Sequence, residues 1–218
     1  MIKLVAFDLD GTLADTLADL AHAVNYALAE QNLPTYPVDD YRHFVGNGVD
    51  NLIRTTMGDA YTPDGAAKAK ADFQSYYTDH CKDFTEAYDG LPDFLQKLTE
   101  NGIKTAVISN KPDIFVPEIL KKLYPSHTFY SMSGQQKDIP RKPAPDALER
   151  LIAMSGFDKS EVLYVGDSDV DVYFAHSAGL RVIGVSWGFR GAEELRSAGA
   201  DRIVDSAEEL YDWITDNG

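Results

Sequence analysis

The chain has 218 residues, 44 % of them apolar, which suits one domain with an ordinary core or a domain carrying an insertion. Its formal net charge of −15, from 35 acids against 20 bases, argues against nucleic acid or an anionic membrane as partner, because both call for a basic face. Cys81 is the single cysteine and excludes an internal disulfide, and the five scattered histidines (His22, His43, His80, His127, His176) offer no zinc spacing.

The first element is an apolar run, Ile2-Lys3-Leu4-Val5-Ala6-Phe7, read as a buried strand of a parallel sheet over 3–7. It ends in Asp8-Leu9-Asp10-Gly11-Thr12. Ligands of open α/β sheets bind beyond the carboxyl ends of the strands, so this strand delivers two acids to the expected site. Carboxylates this close repel unless a cation lies between them, and oxygen-only donors on a compact turn suit Mg2+. An EF-hand calcium loop fits poorly, since its sixth and twelfth positions, counted from Asp8, hold Leu13 and Asp19 instead of glycine and glutamate. A plain surface Asp-Gly turn is the other reading of the segment taken alone.

Helical spacing follows. Leu17, Leu20, Ala21, Val24 and Leu28 form one stripe, and Pro34 and Pro37 break it. A second helix runs through Val49, Leu52 and Ile53 to about Met57, and a third from about Ala66 to about Cys81. No strand is expected within these helices. From Leu91 onward strands and helices alternate, which predicts a parallel sheet covered on both faces. The expected strands are 3–7, 103–108, 128–131, 162–165, 181–185 and 202–204. Pro92 with Gly102, and Pro145 with Gly156, bracket two of the helices. Ser206 with Glu209 forms a capping box before the last. No apolar run approaches the length of a bilayer and no leader precedes the first strand, so a cytoplasmic protein is expected.

Further strand ends repeat the first design. One stops at Ser109-Asn110 and another at Gly166-Asp167-Ser168-Asp169-Val170-Asp171, with Arg141-Lys142 in a loop between them. Acids at two strand ends, a hydroxyl at a third and a lysine make a metal-assisted phosphate site if they converge. With so negative a chain, attraction of a phosphate must be local: the metal, Lys142, Arg141, Lys111 and helix-start N–H groups are its sources.

Asp8-x-Asp10-Gly11-Thr12, Ser109, Lys142 and Gly166-Asp167-Ser168-x-x-Asp171 resemble, in order, the four motifs of the haloacid dehalogenase superfamily. Residues 7–16, Val45-Gly46-Asn47-Gly48, Ser109-Asn110-Lys111-Pro112 and Trp187-Gly188-Phe189-Arg190-Gly191 resemble its phosphoglycolate phosphatase-like branch. The resemblance implies a Rossmann-like parallel sheet core (1–14 and 86–218) with a mobile helical cap (15–85) inserted after the first strand. It implies a Mg2+-dependent phosphatase of small phosphorylated metabolites, with 2-phosphoglycolate the first substrate to test.

Under that resemblance Asp8 is the nucleophile that forms an aspartyl-phosphate, and Asp10 the general acid and base. Dehalogenating relatives lack this second aspartate. Asp8, Asp167 and the carbonyl of Asp10 would hold the metal. Asp171 would hold a metal-bound water or Lys142, or act as a first-turn acid favoured by the helix dipole. Asp169 is read as such a helix-start residue. Thr12, Ser109 and Asn110 would lie against the phosphate and Lys142 would neutralise it. Gly11 allows the positive φ of the turn. Gly46, Asn47 and Gly48 would meet the organic end of the substrate by backbone or serve as a turn between helices, and Arg54 would meet a carboxylate or lie exposed. The residues from Trp187 to Arg190 would line the rim or cover the core. A β-phosphoglucomutase-like transferase and a pyrophosphatase are alternatives on the same scaffold. A phospho-accepting signalling module and a catalytically silent binding protein are the alternatives outside enzymes of this kind.

Overall fold

A computed structural model describes residues 1–216. Its centre is a six-stranded, all-parallel sheet of β1 (Leu4–Phe7), β4 (Lys104–Pro112), β5 (Ser131–Gln135), β6 (Val162–Gly166), β7 (Arg181–Val185) and β8 (Arg202–Val204), in the order β5-β4-β1-β6-β7-β8. Leu4 pairs with Lys104 on one side and Val162 on the other. Chain order therefore reverses at β1, and the crevice for a ligand opens at its carboxyl end.

All four residues of β1 are fully buried. Alternation explains how. Val5 and Phe7 face one apolar layer, which includes Phe94 and Leu98 of α4 (Leu91–Glu100), Ile119 of α5 (Val116–Leu123) and Leu210 of α9 (Ala207–Asp216). Leu4 and Ala6 face the other, with Leu148 of α6 (Asp146–Ser155), Phe174 of α7 (Asp169–Ser177) and Leu195 of α8 (Gly191–Ala198).

A helical layer of α1 (Leu17–Ala29), α2 (Val49–Met57) and α3 (Pro63–His80) follows β1. Its apolar residues, among them Leu20, Val24, Phe73 and Tyr77, are continuous with the first layer. Tyr77 meets Phe115 edge-on at 5.0 Å. Where the chain enters and leaves this layer, a short antiparallel ribbon pairs β2 (Ala14–Asp15) with β3 (Glu86–Ala87). The Asp19 carboxylate, 2 % exposed, accepts bonds from the N–H groups of Phe84 and Thr85 and from the Thr85 hydroxyl, fastening the exit to the start of α1. No helix of the described residues is long and apolar enough to cross a membrane.

The structure departs from the sequence reading in four places. The strand expected at 128–131 is β5, three residues later at Ser131–Gln135. It is a polar edge strand, so no apolar run marks it. β4 continues beyond 108 to Pro112 with a register shift. α3 starts at Pro63, because Thr62 caps it by accepting from the Gly65 N–H at 3.1 Å. Of the capping box at Ser206 only half forms: Ser206 Oγ accepts from Glu209 N, whereas the Glu209 carboxylate accepts from Asp205 N and pairs with Arg202.

Candidate active site

The Asp8 N–H donates to the Val165 carbonyl at 2.9 Å, extending the sheet by one residue before the chain turns. The Leu9 carbonyl then accepts from the N–H groups of Thr12, Leu13 and Ala14. Gly11 is required twice over. Its φ of +85° is in the left-handed region, and a Cβ there would lie 2.3 Å from Asp167 Oδ2.

Asp8, Asp167 and Asp171 come together from β1, the end of β6 and α7, each offering a carboxylate oxygen within 4.8 Å of the others. All three are buried. Lys142 reaches them from the loop after β5: its Nζ is 3.0 Å from Asp8 Oδ1 and 2.7 Å from Asp171 Oδ1, and it donates to the Tyr164 hydroxyl at 3.1 Å. Asn110 holds that loop, accepting from Lys142 N at Oδ1 and donating from Nδ2 to the Lys142 carbonyl.

Burial pushes the Asp8 carboxyl up to about 7; Lys142 pulls it down, and the nearby Asp171 and Asp10 push it further up. Burial raises Asp167 well above the usual carboxylate range, with Asp171 and Asp8 adding to it and the Phe189 N–H opposing. Burial alone would lower the Lys142 ammonium, yet the charges of Asp171 and Asp8 hold it above the usual lysine range. Three buried acids against one lysine are one positive charge or more short of balance. Their donors are oxygens only. The set therefore fits a hard divalent cation such as Mg2+.

The carboxylates divide the work. Both Asp171 oxygens are occupied, Oδ1 by Lys142 and Tyr164 and Oδ2 by the N–H and hydroxyl of Ser168, so Asp171 fastens Lys142 and caps α7. Asp167 accepts from Phe189 N at 2.8 Å and Thr12 Oγ1 at 3.2 Å. The Asp10 carboxylate stands apart from the acid cluster. That carboxylate accepts from Thr16 Oγ1 at 2.6 Å and pairs with Lys111 Nζ at 2.9 Å.

Other expected residues take definite places. The Thr12 hydroxyl donates to Asp167, and Thr12 is 1 % exposed. Asp169 sits in the first turn of α7, outside the acid cluster. Ser109 and Asn110 line a cavity of about 40 Å³ with Asp8 and Asp10. The helical layer closes this cavity with apolar Leu20, Val45, Val49, Leu52 and Phe73. Its loop 45–48 meets the sheet by backbone: the carbonyls of Val45, Gly46 and Asn47 accept from Arg190, Asn110 and Arg141. Gly46 and Gly48 line the cavity, whereas the Asn47 side chain does not. Arg54 is exposed and lies over the Tyr61 ring, away from the site. Trp187 donates to the Thr12 carbonyl at 3.1 Å and so covers the turn after Asp8.

Sequence reasoning missed three participants. Tyr164 braces Lys142 from an apolar strand position, and Thr16 holds Asp10 from just before α1. Tyr77, in the apolar stripe of α3, lines the cavity. Lys111 was counted only as one nearby cation; its burial beside Asp10 was not foreseen.

Residues 5–185 match the haloacid dehalogenase-like hydrolase family. The phosphoglycolate phosphatase of Vibrio parahaemolyticus is 34 % identical over 98 % of this chain and 96 % of its own length. That of Haemophilus influenzae is 34 % identical over 95 % and 96 %. The crystal structure of a predicted phosphoglycolate phosphatase from Haemophilus somnus superimposes with a TM-score of 0.89 at 31 % identity, covering all of this chain and 98 % of that one. The chain belongs to the haloacid dehalogenase-like hydrolases, and within them it is similar to the phosphoglycolate phosphatases.

Proposed function

We propose that this hydrolase is a Mg2+-dependent phosphatase of small phosphate monoesters, acting through an aspartyl-phosphate on Asp8, with 2-phosphoglycolate its leading substrate. The observation that carries the reading is the pairing of Asp8 with Lys142 at 3.0 Å beside a separate, differently held Asp10. In this reading Asp8 is the nucleophile, and Asp10, held apart from it by Thr16 and Lys111, transfers the proton.

Asp8 attacks phosphorus in line with the ester oxygen. The bond from phosphorus to that oxygen breaks, and Asp10 supplies the proton that the departing alkoxide takes up. Water then attacks the phosphorus of the aspartyl-phosphate. Asp10 takes its proton, and inorganic phosphate leaves with Asp8 restored. Lys142 offsets charge at Asp8 and on the phosphoryl group throughout. The Ser109 hydroxyl and the Asn110 N–H are assigned to the phosphoryl oxygens. Asp8 and Asp167, with the Asp10 carbonyl, would hold Mg2+, which supplies further neutralisation of the transferring group. We assign residues 15–85 as a cap that closes over a core of 1–14 and 86–218 and excludes water during transfer. Localisation to the cytoplasm and action on free metabolites accord with this reading.

The test is release of phosphate from 2-phosphoglycolate and p-nitrophenyl phosphate by the purified protein, with EDTA and after Mg2+ addition. Turnover restored by Mg2+ supports the reading. Full activity in EDTA refutes the metal's part, and no phosphate release from either ester refutes the whole. Return of phosphate to a sugar hydroxyl without its release would favour the mutase alternative.

A further inference from the structure

Three successive carbonyls tie the helical layer to the rest of the chain. Those of Val45, Gly46 and Asn47 accept from Arg190 Nη2 at 2.9 Å, Asn110 Nδ2 at 3.0 Å and Arg141 Nη1 at 2.8 Å. The donors come from the segment after β7, the end of β4 and the loop after β5. Two of them lead to Lys142. Asn110 Nδ2 also donates to the Lys142 carbonyl at 3.2 Å, and Asn110 Oδ1 accepts from the Lys142 N–H at 2.9 Å. Both hydrogen-bonding groups of the Lys142 backbone thus go to one side chain, and that side chain also holds Gly46. Arg141 precedes Lys142 in the chain and reaches α2 as well, with Nη2 3.6 Å from Asp50 Oδ2. The fit is close: Gly48 has a φ of +79°, and a Cβ there would lie 2.8 Å from Arg141 Nη1. Arg141 does not line the cavity of Asp8 and Asp10, so contact with the phosphate does not account for it.

We infer that Arg141 and the Asn110 side chain are positioning residues, and that docking of the loop 45–48 on them sets Lys142 against Asp8. The inference rests on the phosphatase reading and adds to it how the counter-charge is put in place. Lys142 Nζ must reach Asp8 Oδ1 at 3.0 Å and Asp171 Oδ1 at 2.7 Å. Asp171 fixes the ammonium end and Asn110 the backbone end. A side-chain amide has two N–H donors, and those of Asn110 are both matched only while Gly46 is docked. When the loop withdraws, one donor of Asn110 and the Arg141 guanidinium lose their partners, and residues 141–142 are held from one side alone. A displacement of about 1 Å at a reacting group is enough to cost on the order of a hundredfold in rate. The charge opposite the nucleophile is therefore complete only with the helical layer closed, and phosphoryl transfer waits for that closure.

The test reads Lys142 in two ways. One is hydrogen exchange of the Lys142 backbone N–H in the metal-free protein without substrate, which is independent of activity. The other is kcat on p-nitrophenyl phosphate in Mg2+. Arg141→Met removes both contacts to the helical layer from a side chain that is 42 % exposed, so the fold is retained. It should speed exchange at Lys142 about tenfold and lower kcat about tenfold, the scale of one hydrogen bond from a charged donor. The Asp8 N–H, bonded to Val165 within the sheet, should keep its wild-type exchange rate. Arg141→Lys, which retains a charged donor for the Asn47 carbonyl, should restore most of both. Asn110→Ala, which removes both bonds to the Lys142 backbone, should exceed Arg141→Met in both. Unchanged exchange at Lys142 in Arg141→Met overturns the inference whatever happens to kcat, because Arg141 would then act elsewhere. Faster exchange with wild-type kcat overturns it too, because the placement of Lys142 would not limit transfer. Failure of the wild type to release phosphate overturns the phosphatase reading itself and the inference with it.

Discussion

Replacing Lys142 by Met removes the only cation, among the described residues, that pairs with Asp8, the proposed nucleophile. The methylene stem is replaced almost isosterically and the side chain is 3 % exposed, so packing changes little and the charge is what is lost. Asp8 and Asp171 then remain buried beside each other and Asp167 without compensation. Breaking a buried pair by deleting one partner costs about 3–5 kcal/mol. At about 2–4 °C per kcal/mol for a chain of this size, the melting temperature should fall by about 6–20 °C in EDTA at neutral pH.

The penalty has a direction with pH. The Asp8 carboxyl titrates near 7 in the fold against 3.8 in the unfolded chain, so its ionisation opposes folding increasingly as pH rises between those values. Lys142 is held above its ordinary range, so its stabilising charge is fully present throughout that interval. Without it, the acids relieve their repulsion by protonation at low pH and cannot do so at high pH. The loss in Lys142→Met should therefore be small at pH 5 and large at pH 8. Mg2+ should recover part of it at pH 8. Urea unfolding of both proteins at the two pH values, in EDTA, measures this directly. An equal loss at both, or a loss below about 1 kcal/mol at pH 8, roughly what an exposed pair contributes, would refute the claim that Lys142 is the counter-charge of the site.

Asp8→Asn should abolish turnover and, by relieving repulsion in metal-free buffer, raise the melting temperature; residual activity within about tenfold of wild type, a barrier change of only about 1.4 kcal/mol, would sink the nucleophile assignment. Metal affinity should weaken as pH falls through 7, because binding must displace protons from Asp8 and Asp167, and isothermal titration with Mg2+ at pH 8 and pH 5.5 would show it; a pH-independent affinity would place the metal elsewhere. Gly11→Ala should lose Mg2+ affinity more than stability, since the new Cβ would meet the Asp167 carboxylate at 2.3 Å; unchanged Mg2+ titration in a folded variant would contradict that contact.

The parts of this fold that were readable are those whose causes are local. β1, β4 and β6 are covered on both faces, so each needs a run of apolar residues, and each run stops where an acid or hydroxyl begins. β5 was expected three residues too early because an edge strand made of Ser131-Met132-Ser133-Gly134-Gln135 carries no such run, and its place is decided by β4. Gly134 shows the dependence: a Cβ there would come within 2.5 Å of the Lys111 carbonyl. The β2–β3 ribbon is two residues a side and has no periodicity to detect. In the site, the motif acids were legible because their spacing is unusual. Lys111 was legible as a local cation but its burial beside Asp10 was not, and Tyr77, in an apolar helix stripe, reads as packing. The two side chains meet across a separation in sequence that only the folded chain closes. Asp171 was legible as either helix cap or lysine partner, and it proves to be both, one oxygen for each.

The central position of β1 also has a consequence for how the protein is made. The strand leaves the ribosome well before its partners, Lys104 to Val107 and Val162 to Val165. At translation rates of about 5–20 residues per second, β1 waits roughly 10–30 s for β6. Until then its apolar edges need shielding. α1 and α3, joined closely in sequence and in extensive mutual contact, can consolidate during that interval. The acid cluster of Asp8, Asp167 and Asp171, which includes two of the proposed metal ligands, is among the last features to form. A nascent chain halted before residue 160 should thus possess the helical layer but be blind to Mg2+, and the ion should stabilise only the finished chain.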